Sequence, residues 1–422
     1  MATASLLPRP VCKLTLPGFG PLPKLRGMSI IRLCLALALA PAAALAADTK
    51  ELRKDAETKV AKAESSQTDA GGSKQLAETG RVIVTAADAS VQLQDADPKP
   101  LPPGTVLTYS IVNGPWIWSD QHWGWVNRAD VVDLDDAAEH FTTIFTKARE
   151  QGEPGYPEMR SALHHRGIAR LALGDFEAAL EDLTEATERG LNTSLVYVNI
   201  ATARRELGDL EGAMEAATEA IKIDDNALAY MARARVLYDQ GYYEASLKDS
   251  DRAIELDDQN AEAFNARGVT KRILGQWRPA AEDYTRALKI QPRHRQALAN
   301  RGYVLKKLGR LEEAVRDYQR SLKIDQNQAV VHNDLAWLLA TAGDETIRTP
   351  GEAVRHAERA VELEPEDGRF LDTLAAAYAA AGDFGKAVDT GLKAVKLLTE
   401  AEQYEADQRV DLYADGKPYI EK

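Results

Sequence analysis

The residues able to do chemistry are many, and their spacing does not suit catalysis. The chain holds seven histidines and 65 carboxylates, and its two cysteines, Cys12 and Cys34, both precede residue 48. No His-Glu-x-x-His, Gly-x-Ser-x-Gly, phosphate-loop or dinucleotide-binding glycine fingerprint occurs. Gly71-Gly72-Ser73-Lys74 lacks the first glycine of a phosphate loop, and no strand precedes it. His164 and His165 are adjacent, so on a helix they diverge by about 100° and make a poor chelating pair. The chain is expected to be non-enzymatic, with no cofactor and no metal.

Three other sets of residues have types and spacing that suit recognition or charge pairing. Trp116, Trp118, Trp123 and Trp125 cluster within ten residues. Asn199, Arg205, Arg235, Asn265, Arg272, Asn300, Lys306 and Asn333 recur between residues 199 and 333. Amides bond a peptide backbone as donor and acceptor, and cations attract carboxylates, so this set suits an acidic or extended peptide. Finally, Arg166, Arg233, Arg267 and Arg301 each stand sixteen residues before an aspartate, Asp182, Asp249, Asp283 and Asp317.

The elements that must position these residues repeat. Gly174, Gly208, Gly241, Gly275, Gly309, Gly343 and Gly382 are separated by 34, 33, 34, 34, 34 and 39 residues. A small residue lies seven before each, from Gly167 and Ala201 to Ala375, and alanine or serine recurs at Ala179, Ala213, Ser246, Ala280, Ala314, Ala353 and Ala387. Larger partners such as Leu163, Tyr197, Tyr230, Phe264 and Leu298 fill the first helix. Each glycine is expected to end a first helix in the left-handed conformation. Asp175, Asp209 and Asp383 follow as caps of the next helix. This pattern resembles the tetratricopeptide repeat (TPR), a helix–turn–helix unit, and gives seven repeats over residues 160–401. The sixth carries about five extra residues around Asp344 to Pro350. In the second, sixth and seventh repeats both members of the Arg–Asp pair are missing: Ile200/Ala216, Leu335/His356 and Leu374/Thr390. Joint presence and joint absence predict a bridge between the two helices of a repeat, a structural role. His332 takes a position held elsewhere by Leu, Tyr or Phe and reads as a core histidine. The resemblance places the amide and basic set on the concave, first-helix face.

Residues 80–133 read as short strands punctuated by Gly104, Asn113-Gly114-Pro115 and Gly124. The order Pro103-Gly104-Thr105-Val106-Leu107, then Gly114-Pro115-Trp116-Ile117-Trp118, then Trp123-Gly124-Trp125-Val126 resembles bacterial SH3-like domains, which implies a small all-β barrel. Two readings of the four tryptophans stand: they form the core of that barrel, or they line a groove for peptide or cell-wall material.

Residues 1–47 read as a leader. A charged start after Met28, a short apolar run and Ala44-Leu45-Ala46 before Asp48 have the pattern of a secretory signal peptide, with Met28 as the expected start. The run is short for a membrane span, so membrane attachment is expected only if the leader stays uncleaved. Residues 48–79 lack any aromatic residue and read as a disordered tether. The formal net charge of −13 becomes −18 without the leader's five basic residues, which argues against nucleic acid as a partner. Residues 134–159 read as a docking helix and connector, and residues 402–422 as a capping helix and tail. Leu412-Tyr413-Ala414-Asp415-Gly416-Lys417-Pro418-Tyr419, with Ala336 to Thr341 and Leu371 to Ala375, is similar to bacterial exported TPR proteins with an SH3-like domain in front. The expected architecture is therefore a mainly α TPR solenoid behind a small β domain. The expected function is an exported, periplasmic or otherwise extracytoplasmic, scaffold for a protein or peptide partner. The alternatives are envelope recognition through the β domain and an accessory subunit of an enzyme complex.

Overall fold

The computed structural model describes residues 80–92, 98–113, 116–119, 124–152 and 156–421. The expected leader and tether, Trp123 and both cysteines lie outside them. From Gly80 onward seven short strands form: β1 (Gly80–Val84), β2 (Ser90–Gln92), β3 (Lys99–Pro100), β4 (Val106–Asn113), β5 (Trp116–Ser119), β6 (Gly124–Asn127) and β7 (Val131–Asp133). They pair antiparallel in the order β3-β2-β6-β5-β4-β1-β7. One face buries Val82, Val84, Val91, Leu107, Ile117 and Val126. Among the described residues no pairing joins β3 to β7, so no closed barrel is detected there. The two edge strands have only two and three residues, too few to zip a cylinder shut.

β7 passes without a loop into α1 (Leu134–Glu150), whose preceding residue, Asp133, is the last of the strand. Leu134, Ala137 and Phe141 of α1 bury against Ile83 of β1 and Ala169 of α2 (Tyr156–Leu173). This apolar stripe follows from the spacing of Phe141 and Ile144, three apart on one helix face.

α2 and α3 (Phe176–Glu188) form the first of seven helix pairs. They are followed by α4 (Ser194–Glu206) and α5 (Leu210–Ile223), α6 (Ala227–Asp239) and α7 (Tyr243–Leu256), α8 (Ala261–Ile273) and α9 (Trp277–Ile290), α10 (Arg295–Lys307) and α11 (Leu311–Ile324), α12 (Ala329–Thr341) and α13 (Pro350–Leu363), and α14 (Gly368–Ala380) and α15 (Phe384–Val395). α16 (Glu400–Ala414) closes the array behind a Thr399/Glu402 capping box. The whole is a TPR α-solenoid preceded by a small β region.

Six of the seven periodic glycines take φ between 71° and 87°. Gly343 does not, because α12 ends in extended backbone at Ala342 and enters the longer loop. The small residues on the first helices permit close contact. A β-carbon on Gly268 would lie 2.7 Å from the Tyr284 ring, and one on Gly302 would lie 2.8 Å from the Tyr318 ring. Asp175, Asp209 and Asp383 each accept a backbone N–H in the first turn of the following helix.

Each expected arginine grips its aspartate with two parallel bonds. Nε and NH2 of Arg233 reach Asp249 at 2.7 and 2.9 Å; for Arg267 and Asp283 the distances are 2.9 and 2.6 Å, and for Arg301 and Asp317 they are 2.6 and 2.8 Å. Arg166 holds Asp182 at 2.8 and 2.5 Å. All four aspartates are buried. In three repeats the third guanidinium nitrogen goes on to the second helix before it: Arg166 to Thr142, Arg267 to Asp251 and Arg301 to Thr285. These arginines therefore join three helices, not two.

Candidate functional site

The first helices carry a row of polar side chains whose placement follows the 34-residue register. Three of the four cations expected there are neutralised by carboxylates of the next repeat. Arg205 donates to Asp239 at 2.8 Å, Arg235 to Glu262 at 2.9 Å and Lys306 to Asp334 at 3.2 Å. His294 also meets Glu262, at 3.0 Å. The asparagines also link neighbours. Asn300 donates to the buried Asn265 at 3.2 Å, and Asn199 meets His164 Nε2 at 3.1 Å. Burial first, and the neighbouring His165 second, lower the His164 pKa to about 4. The neutral ring therefore accepts the amide proton. His164 and His165 occupy successive positions of α2, and their rings stack with centroids 5.6 Å apart. Among the described residues, no group of three or more His, Cys, Asp or Glu is arranged to hold a metal ion.

Arg272 differs from the other three cations. No carboxylate pairs with it among the described residues, its guanidinium lies 5.4 Å from the Tyr303 ring centroid, and its Nε is buried without a hydrogen-bond partner. Asn333 Oδ1 is likewise buried and without a partner. Both line one cavity of about 320 Å³ between the fourth and seventh repeats, with Asn300, Tyr303, Asp334 and Arg369. A second cavity of about 240 Å³ holds Arg205, Arg235 and Asn265 beside Tyr238, Asp239 and Glu262. Sequence reasoning missed Asp239, Glu262, Asp334 and Tyr303. The pairs Arg205–Asp239, Arg235–Glu262 and Lys306–Asp334 stand 34, 27 and 28 residues apart, and only the first matches the repeat period.

The β region presents a separate aromatic surface. Register pairs Trp118 with Trp125 and Trp116 with Asn127. Trp116 and Trp125 thus share the face opposite the buried Ile117 and Val126, and both are half-buried. Among the described residues the buried core beneath is aliphatic apart from Tyr109, and Trp116 and Trp125 are not part of it.

His332 is buried, as expected for a core histidine, and its Nδ1 lies 2.8 Å from His356 Nδ1. Its Nε2 lies 3.1 Å from the Gln326 carbonyl, which can only accept. In the neutral pair, His332 Nδ1 must then accept from His356 Nδ1–H.

Two profiles described as tetratricopeptide repeat match the chain, one over residues 296–328 and one over 164–227 and 198–261. No curated protein matches it. Among solved structures, the APC/C hetero-tetramer Cut9–Hcn1 is similar at 17% identity and a TM-score of 0.51, over 58% of this chain and 47% of that one. The chain thus spans about half of that structure's length. PilF of Pseudomonas aeruginosa is similar at 20% identity and a TM-score of 0.46, over 51% of this chain and 96% of that one. Yeast Tom70 is similar at 20% identity and a TM-score of 0.44, over 67% and 60%.

Proposed function

We propose that this tetratricopeptide-repeat chain is a scaffold that binds an extended, acidic segment of a partner protein on its concave first-helix face. Proteins built from this repeat generally act as interaction scaffolds. The cavity at Arg272 and Asn333 carries the reading. It holds a cation with no carboxylate of its own beside a buried amide oxygen with no donor. A peptide supplies both: a side-chain carboxylate for the guanidinium and a backbone N–H for the amide. Export by the leader would put this scaffold outside the cytoplasm.

The test is co-purification from the native host, followed by binding measurements on variants. Arg272→Glu reverses the one groove cation without a carboxylate partner, and it is expected to weaken the recovered partner by tenfold or more. Arg205→Glu and Lys306→Glu each set two carboxylates face to face, so they serve as comparisons. Unchanged binding by Arg272→Glu defeats the groove assignment.

A second reading rests on Trp116 and Trp125, whose half-exposed rings suit an envelope ligand. A pull-down on cell-wall material with Trp125→Ala tests it, and undiminished capture ends it.

A further inference from the structure

Beyond α16 the backbone turns at Gly416, where φ is 70°, and Lys417 to Glu421 runs without regular structure back to the sixth repeat. Lys417 N–H donates to the Leu412 carbonyl at 2.9 Å, and Glu421 N–H donates to the Thr341 carbonyl at 2.7 Å. Between them the Tyr419 ring lies 5.8 Å from the Trp337 ring. Arg409 of α16 lies 5.4 Å from the Trp337 centroid and 5.7 Å from that of Tyr419, while pairing with the buried Asp372 at 2.7 Å. Gly343 completes the seat: a β-carbon there would lie 2.9 Å from the Glu421 carbonyl oxygen.

The seat continues a row seen elsewhere in the array. Trp337 stands 34 residues after Tyr303 and 68 after Val269, which line the two first-helix cavities. In the sixth and seventh repeats the returning segment covers the row that borders cavities in the third to fifth. Its hold is slight. Lys417, Pro418, Ile420 and Glu421 are exposed, and only Tyr419 is half-buried. α16 keeps its own anchors, the buried Ala406, Val410 and Tyr413, so the segment can leave without unseating the closing helix.

We propose that Trp337, Arg409 and Gly343 form a peptide site that the chain fills with its own Tyr419 segment. A partner segment of the same chemistry, extended and carrying one aromatic side chain, displaces it. The tether gives the internal segment a high effective concentration, so an outside peptide must beat it. Displacement by a partner rests on the concave-face reading, whereas the peptide site itself does not.

The probe is a labelled octapeptide, Asp-Gly-Lys-Pro-Tyr-Ile-Glu-Lys, copied from residues 415–422. By fluorescence anisotropy it is expected to bind the Tyr419→Ala chain about tenfold more tightly than the unaltered chain. A peptide with alanine for its tyrosine should not bind. Adding Gly343→Ala to Tyr419→Ala should abolish binding through the backbone clash, with far-UV circular dichroism and Tm unchanged. Equal binding to both chains, no binding to either, or full binding by the double variant overturns the site. No partner enters this assay, so its outcome is independent of the co-purification result.

Discussion

The first, third, fourth and fifth repeats hold their helix pairs with a buried Arg–Asp bridge, and the second, sixth and seventh do so without one. The helix–turn–helix geometry is common to both groups. Where the bridge is missing, an apolar side chain takes the arginine's place: Ile200, Leu335 and Leu374 are all buried. Ala216 and Thr390 fill the aspartate position in two of these repeats, and His356 fills it in the third. The difference teaches that the site accepts a matched ion pair, or an apolar side chain facing a small or uncharged one, but not a single charge. A buried charge gains from its partner what it loses in leaving water, and an apolar pair avoids both terms.

The sharpest way to break this comparison is to leave a bridge half made. Asp283→Ala leaves Arg267 with Asp251 alone and strands Lys271, which lies 2.7 Å from the same carboxylate. It should cost about 3–5 kcal/mol of the stability read from urea unfolding. Arg267→Ile with Asp283→Ala copies the second repeat and should recover much of that loss. Strictly additive effects in the cycle would show that the two residues do not act together.

The 34-residue period, the cap aspartates and the sixteen-residue Arg–Asp spacing were legible in the sequence because each is a local event repeated in register. The third nitrogen of Arg267 was less legible. Its partner Asp251 belongs to the preceding repeat, and the equivalent position before Arg233 is Ala217, so the pattern is broken. Gly343 looked like its six counterparts, yet its backbone requirement comes from Glu421, 78 residues away. The open edge of the sheet was hidden for the same reason. Barrel closure depends on the length and reach of edge strands, and alternating hydrophobicity reports neither. In the candidate site, residue types singled out the first-helix cations but not their neutralisation, which needs side chains from two repeats at once.

A smaller effect separates the sixth repeat from the bridged ones. Burial first lowers the His332 pKa, and burial with the His332 charge lowers that of His356 to about 4. The unfolded chain therefore takes up these protons first. Stability is fully present above about pH 6.5 and is lost as pH falls toward 4. Changing His332 to Leu and His356 to Ala should remove on the order of 1 kcal/mol of that decline, measured as unfolding midpoints at pH 7.5 and 5. His164 in the first repeat keeps part of the slope. An unchanged pH profile would remove the pair from the account.

The smallest effect belongs to pairs outside the helix interface. Arg310 and Glu313 meet at 2.7 Å with about half of the Arg310 side chain exposed. Arg310→Ala should change stability by less than about 0.5 kcal/mol in the same assay. A loss approaching that of Asp283→Ala would erase the distinction between buried and exposed pairs.

The loopless passage from Asp133 to Leu134 has a mechanical consequence. A pull on the sheet finds no slack to take up. It enters the first helix directly, as shear across the Ile83–Phe141 contact. An object gripped at the tryptophan face and another gripped along the repeats would keep a constant bearing to each other, as on a rigid bracket. Inserting a few glycines between the two residues would convert that bracket into a hinge while leaving both gripping surfaces intact.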